Sequence, residues 1–285
     1  MDARLTRRRI VNTVMRGLMW LMAVVAVIPL SMVLIYTVGR GLPAVLNPDF
    51  YLHAERPLGI PGSGVGHAIL GTLLLVGMAS AVAVPVGVIS GIHLVEYGRN
   101  RRGDTIRLVM DVLVGAPSIA IGLFGYALVV APTHHFSALA GSVALAVLML
   151  PVIARTTEGA VGLVPNALRE TGLALGLPRW RVALQLILPA AVPGVVTGVL
   201  LAVARAAGET APLLFTSLGT VFFNTDPTRE TSALPLIVFH DALTPYPELQ
   251  QQAWGAALLL VALVLITNLA SRFALRRQIR LAGQI

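Results

Sequence analysis

Two arginine–carboxylate pairs, Arg155 with Glu158 and Arg205 with Glu209, sit in or beside stretches that are otherwise apolar. A guanidinium combines a permanent charge with a planar fork of donors, a geometry that grips an oxyanion through paired hydrogen bonds. A carboxylate three or four residues along a helix shares the arginine's face. It orients the cation and weakens its hold on a passing anion, as a path that must also release its cargo requires. A charge at the centre of a bilayer costs about 2.5–3.5 kcal/mol even on insertion scales, so it persists only when paired or facing a wet cavity. Structural ion pairs within or between helices are the plainer use of the same residues.

A second constellation carries no catalytic chemistry. Glu170–Pro189, ETGLALGLPRWRVALQLILP, forms a polar island between two long apolar segments. Pro165 fits a first helical turn, Gly176 offers a C-terminal stop and Pro178 can open the next helix. Two short helices joined at Gly176-Leu177-Pro178 are therefore expected. Leu168, Leu173, Leu175 and Leu177 then gather near the turn in a region that water should bathe, which marks a docking surface for a protein. A helix lying flat on the lipid interface would spread its apolar residues along one face instead.

The elements that must position these groups are membrane helices. The chain of 285 residues is 56% apolar and only 12% charged, with a mean hydropathy of +0.82, whereas soluble domains carry about 25% charged residues. Runs of about 20 apolar residues cross a bilayer core. Six are legible, at 17–38, 68–92, 108–130, 138–154, 190–215 and 253–271. The expected fold class is an all-α integral membrane protein of six transmembrane helices. Its domains are a basic tail at 1–16, one membrane domain at 17–272 and a second tail at 273–285. Within the membrane domain, 170–189 is a cytoplasmic loop and 216–252 an outer loop, where Ala233–Ala242 reads as a short helix packed on the outer face.

Arginine placement orients the chain. The N-terminus, the second-to-third and fourth-to-fifth connections and the C-terminus hold seventeen of the 21 basic residues, all of them arginine. Arg40, Arg56 and Arg229 lie on the opposite side, so both termini belong in the cytoplasm. The net charge of +8 is topological; with no basic patch on a soluble module, no nucleic-acid partner is expected. Near the inner end of the third span, Asp111 follows Arg107 by four residues and reads as its i,i+4 partner. Pro85, Gly87 and Gly91 are tolerable kinks in the second span. The glycine-rich run Gly59–Gly66 lacks the preceding strand of a phosphate-binding loop and reads as a flexible approach to a helix.

Several absences bound the function. Without cysteine there is no thiolate metal site or cysteine nucleophile. Without lysine there is no P-loop of the kind that hydrolyses ATP. His134 and His135 share a tight outer turn but lack a third ligand. No catalytic residue, metal site or cofactor is expected in this chain.

The island resembles the cytoplasmic loop of ABC-importer permeases: Glu170, Gly176, Leu188 and Pro189 stand at the family spacing, while Thr171-Gly172 replace a pair of alanines and Leu186 an isoleucine. AILGTLLL at Ala68–Leu75, Pro85-Val86-Gly87-Val88, Glu96-Tyr97-Gly98 and PSIAIGLF at Pro117–Phe124 are similar to phosphate-specific transport permeases of the PstA type. LPVIARTTE at Leu150–Glu158 and ARAAGETAP at Ala204–Pro212 narrow the resemblance to that branch. It covers about residues 60–272 and implies the MetI-like fold of type I ABC importers, with N-in/C-in topology, in a bacterial or archaeal cell membrane. It further implies a homologous second permease, two ATPase subunits that bind ATP and Mg, and an extracytoplasmic phosphate-binding protein. Glu170, Gly176, Leu177, Pro178 and Pro189 would couple to the ATPase; Arg205, Glu209, Arg155 and Glu158 would line the phosphate path. Sulfate or molybdate would suit the same guanidinium chemistry. A membrane enzyme acting on lipid phosphates would need a nucleophile or base near the arginines, and none is close in sequence. A membrane adaptor would explain the island but not Arg205.

Overall fold

The computed structural model describes residues 3–282, with side chains described for residues 7–269. The side chains of Arg4, Arg272, Arg276, Arg277 and Arg280, and the end of the 273–285 tail, lie outside the described residues. The described chain is helical, without strands. In order it forms α1 (Ala3–Val45), α2 (Gly66–Glu96), α3 (Arg101–Gly115), α4 (Ser118–Thr133), α5 (Ala138–Gly162), α6 (Asn166–Ala174), α7 (Arg179–Ala207), α8 (Leu234–Ala242) and α9 (Pro247–Ala282). Single turns lie at Asp49–Leu52 and Ala211–Leu214. Among the described residues, α1, α2, α5, α7 and α9 are long and apolar enough to cross a membrane. The bent pair α3–α4 makes the sixth if it is one span.

The third span departs most from the continuous run expected at 108–130. It breaks at Ala116-Pro117, and α3 and α4 meet at 106°. Proline cannot donate to the preceding turn and disfavours helical geometry in the residue before it; Ala116 is accordingly extended (φ −68°, ψ 137°). The fifth span is displaced as well. It runs Arg179–Ala207 rather than 190–215, because Gly208 caps the helix. The second short helix expected after Gly176 is therefore the start of a full span, entered through a π-helical stretch at Val182–Ile187.

Helix α5 is the axis of the bundle, and its neighbours approach it through glycines. A Cβ on Gly87 of α2 would stand 2.8 Å from Ile153, and one on Gly91 2.6 Å from Thr157. On the other side, a Cβ on Gly194 of α7 would stand 2.6 Å from Ala160, and one on Gly198 would collide with Thr156. Both sets are spaced four apart, the small-xxx-small arrangement that lets membrane helices pack backbone to backbone. The glycines of α2, read as kinks, are thus a packing face. Leu75, Leu145, Met149, Ile153 and Leu213 fill the core between these helices. α1 pairs with α9, with Tyr36 edge-on to Trp254 at 5.0 Å and Gly41 and Gly255 at their crossing, and α9 joins the bundle through α7 and α8.

At the outer end, loop 216–231 is tied down. The carbonyls of Arg229 and Pro227 accept from the first-turn amides of Ala138 and Leu139, each at 2.9 Å, and Ser137 caps Ala140. Leu234 N donates to Thr72 of α2 at 2.9 Å. The helix expected at Ala233–Ala242 forms as α8 and buries Leu234, Leu236 and Ile237.

The same helix buries a carboxyl. Asp241 is 3% exposed, and its Oδ2 has no hydrogen-bond partner. Burial, then the neighbouring Glu55, push it up from the ordinary 3.8 to about 7. Burial also raises Glu55, against the lowering influence of His240. An acid whose folded pKa is raised supports the fold fully below its unfolded value and loses that contribution as pH rises through the folded one. The melting temperature of the purified protein should therefore fall between about pH 4 and about pH 7. Asp241→Asn should flatten that slope and melt higher than wild type at about pH 8; an unchanged slope would show that Asp241 is not its source.

Candidate functional site

On the arginine-rich side, a chain of ion pairs binds α3 to α5, and one of its arginines also holds the end of α2. Arg155 of α5 presents its fork to Asp111 of α3: Nε donates to Oδ1 at 2.9 Å and Nη2 to Oδ2. Its Nη1 donates to Glu158 Oε2 at 2.8 Å. The other oxygen of Glu158 accepts from Arg107 Nε at 2.6 Å. Arg107 reaches Asp104 and also donates to the carbonyls of Leu94 and Gly98, which end α2. The i,i+4 pair expected between Arg107 and Asp111 does not form, because each finds a better partner on α5. The pair Arg155–Glu158 does form, as one link of a longer chain.

Arg205 and Glu209 are also brought together, more loosely. Arg205 Nε lies 3.3 Å from Glu209 Oε1, with the arginine side chain 46% exposed and the glutamate 16%. No other partner is found for Arg205 among the described residues. The contacts Gly198–Thr156 and Gly194–Ala160 fix the antiparallel register of α7 on α5. Arg205 therefore stands about six residues, or about 9 Å, further along the bundle axis than Arg155.

The island is organised by Arg169. Its Nε pairs with Glu96 at the end of α2 at 2.9 Å, and its Nη atoms donate to the carbonyls of Val164 and Val161 at 2.7 and 3.0 Å. Those carbonyls close α5, where a cation is favourable. Arg169 thus fastens α6 to two spans at once. On its other side α6 packs on the π stretch of α7: a Cβ on Gly172 would lie 2.7–2.8 Å from Leu186 and Val182. Glycine in place of the family's alanine fits this close approach. Gly176 adopts φ +77°, the left-handed stop that a side chain would strain by about 1–2 kcal/mol.

Glu170, Gly176, Pro178 and Pro189 lie on the surface. Leu163, Leu168, Leu173, Leu175 and Trp180 are exposed, Leu163 and Leu175 by 86% and 75%. Leu177 instead is half-buried against the apolar cluster that includes Val161, Val164 and Val182. Pro189 sits in the first turn of the α-helical part of α7, away from the Gly176 turn. His134 and His135 are exposed at the opposite end, His134 with φ 60°. The cross-helix pairs of Arg107 and Arg169 escaped sequence reasoning. Their only signal was an acid and a base at helix ends on one side of the membrane.

The sequence family described as binding-protein-dependent transport system inner membrane component matches residues 83–280, which include both arginine pairs and the island. The chain belongs to this family. Within it, relatives named phosphate transport system permease protein PstA match nearly end to end. The Yersinia pestis protein is 42% identical over 91% of this chain and 85% of its own length. The Haemophilus influenzae protein is 38% identical over 93% and 94%, and Mycobacterium tuberculosis PstA 1 is 39% identical over 96% and 92%. A permease of this family is an integral component of the cell's inner membrane. Among solved structures, an inward-facing conformation of the MetNI methionine ABC transporter superposes with a TM-score of 0.59. It covers 75% of this chain and 94% of that one at 20% identity, so it shares the MetI-like fold.

Arg169→Ala in this permease would leave Glu96 and the Val164 carbonyl without their partner, and Val161 with only its backbone donor, in a site where arginine and glutamate are 17% and 14% exposed. Breaking such a pair costs about 3 kcal/mol. Thermal unfolding in detergent should show a clear loss of stability for Arg169→Ala and for Glu96→Ala, with the double variant less than additive. Additive losses would mean that the two side chains do not act as a pair.

Proposed function

We propose that the chain is a permease subunit of an ATP-driven, binding-protein-dependent importer of inorganic phosphate. The observation that carries the reading is the placement of arginine–glutamate pairs. The two spans that enter and leave the α6 socket each hold one, at Arg155/Glu158 and Arg205/Glu209, at levels about 9 Å apart. An oxyanion crossing between such steps meets a guanidinium at each, with a carboxylate beside it to limit retention. The names of the relatives at 37–42% identity supply the anion.

On this reading Arg205, with one long contact, is the more open step, and Arg155 lies nearer the cytoplasm. The exposed rim of α6, with Glu170, Leu173, Leu175 and the Gly176-Leu177-Pro178 turn, docks on a separate ATPase subunit. Leu177 acts from beneath by holding the turn to α5 and α7, and Pro189 by shaping the start of α7. This chain supplies no catalytic group; ATP and Mg belong to two ATPase subunits. A homologous second permease completes the pore, and a phosphate-binding protein docks on the opposite face, where loop 216–231 is fixed to α5.

Phosphate uptake in cells whose only permease of this type is the variant tests the reading. Arg205→Ala should lower uptake more than tenfold while the complex still purifies with its ATPase. Glu170→Arg should abolish uptake and release the ATPase. Unchanged phosphate uptake in both would sink the assignment to phosphate and turn attention to sulfate or molybdate. Loss of assembly in Arg205→Ala would make that arginine structural.

A further inference from the structure

Arg155 has two carboxylate partners, and they are unlike. Glu158 is 16% exposed and held from both sides, by Arg155 at 2.8 Å and by Arg107 at 2.6 Å. Asp111 is 57% exposed and stands on a different helix; Arg155 is its only ion-pair partner among the described residues. It takes the arginine by Nε and Nη2, the same edge and fork geometry by which a guanidinium takes a phosphate. Asp111 thus occupies the Nε/Nη2 edge of Arg155 while Glu158 takes one donor of Nη1, so an anion that is to be gripped by the same edge must displace Asp111.

We propose that Asp111 is the release group of the anion path, a resident carboxylate that exchanges with phosphate on Arg155. The proposal rests on the reading of Arg155 as a step in that path. Phosphate arriving at Arg155 displaces the Asp111 carboxylate, and the return of Asp111 to the same fork expels the anion toward the cytoplasm. No bond is made or broken in this exchange, and Glu158 stays in place as the fixed counter-ion. The position of Asp111 favours such an exchange, because α3 leaves α4 at 106° and the carboxylate therefore lies on a segment set apart from the rest of its span. Arg107 secures the same helix to the end of α2 through Leu94 and Gly98, which keeps α3 beside Arg155 while the carboxylate exchanges. A carboxylate that only held α3 to α5 would, when removed, weaken the fold and gain nothing. One that competes with phosphate would, when removed, strengthen phosphate binding.

The test uses the complete transporter in nanodiscs of phosphatidylcholine alone, so that no anionic head group competes, with binding of radiolabelled inorganic phosphate measured without the binding protein. Asp111→Asn should bind phosphate at least about fivefold more tightly than wild type and turn over more slowly in uptake, as removal of a competitor predicts. The gain should vanish in the double variant Asp111→Asn/Arg155→Ala. Asp111→Glu, which keeps the carboxylate, should bind as wild type does. Should the asparagine variant fail to assemble, Asp111→Ser supplies the same comparison. Phosphate binding equal to or weaker than wild type in the assembled neutral variant, while Arg155→Ala still loses uptake, overturns the release role alone. Arg155→Ala with normal binding and uptake overturns the reading of Arg155, and the release role with it.

Discussion

Helix α5 meets α2 and α7 almost backbone to backbone, because Gly87, Gly91, Gly194 and Gly198 stand where side chains would otherwise keep the helices apart. In a bilayer, lipid tails are as apolar as leucine, so association depends on close packing and interhelical hydrogen bonds more than on the hydrophobic effect. A side chain larger than hydrogen at any of these four places would push a span outward. Every distance that matters elsewhere would change with it. Arg155 meets Asp111 only because α3 lies against α5, and Arg205 holds its level above Arg155 only because Gly198 fixes the register on Thr156. The charged groups are thus held by apolar packing rather than the reverse.

Charge completes what packing begins at the arginine-rich end. A helix leaves its last carbonyls without intrahelical donors, and two spans end where the chain must turn sharply. Arg107 satisfies Leu94 and Gly98 at the close of α2; Arg169 satisfies Val161 and Val164 at the close of α5. Each arginine also carries a carboxylate from another element, Glu158 or Glu96. The helix ends are therefore stitched to one another without a long loop. Arginine suits both places, because its five donors serve carbonyls and a carboxylate together, which a lysine could not.

Much of this was legible in the residues. Apolar runs separated by arginine-rich connections placed the spans, and Gly176-Leu177-Pro178 placed the stop and restart of the island. The run Ala233–Ala242 gave a short outer helix. The break at Ala116-Pro117 was missed because the residues on either side are apolar enough to read as one span. Hydropathy counts composition and is blind to a proline that turns the chain through 106°. Pairing was harder still. Local spacing matched Arg107 with Asp111, but spacing along a helix cannot foresee that a neighbouring helix offers Glu158 to one and Arg155 to the other. The partners of Arg169 lie 73 residues away at Glu96 and on carbonyls that no sequence pattern names. Leu177 turned inward for a similar reason: the chain turns at the left-handed Gly176, and the next side chain meets the apolar cluster at the base of α5 and α7.

The same geometry bears on how motion could travel through such a permease. The socket helix α6 has little slack. Arg169 holds it to the ends of α2 and α5, and Gly172 seats it directly on Val182 and Leu186 at the base of α7. A displacement of α6 must therefore act on α5 and α7 together. Arg155 lies seven residues above the end of one, and Arg205 in the last turn of the other. Where α7 receives that displacement it is π-helical, at Val182–Ile187, an irregular hydrogen-bond pattern that recurs at functional sites in helices. Above it, the contacts at Gly194 and Gly198 bind α7 tightly to α5. On the proposed reading, the base of α7 adjusts while its upper part moves with α5, so that the two arginine steps keep their spacing as access to them changes.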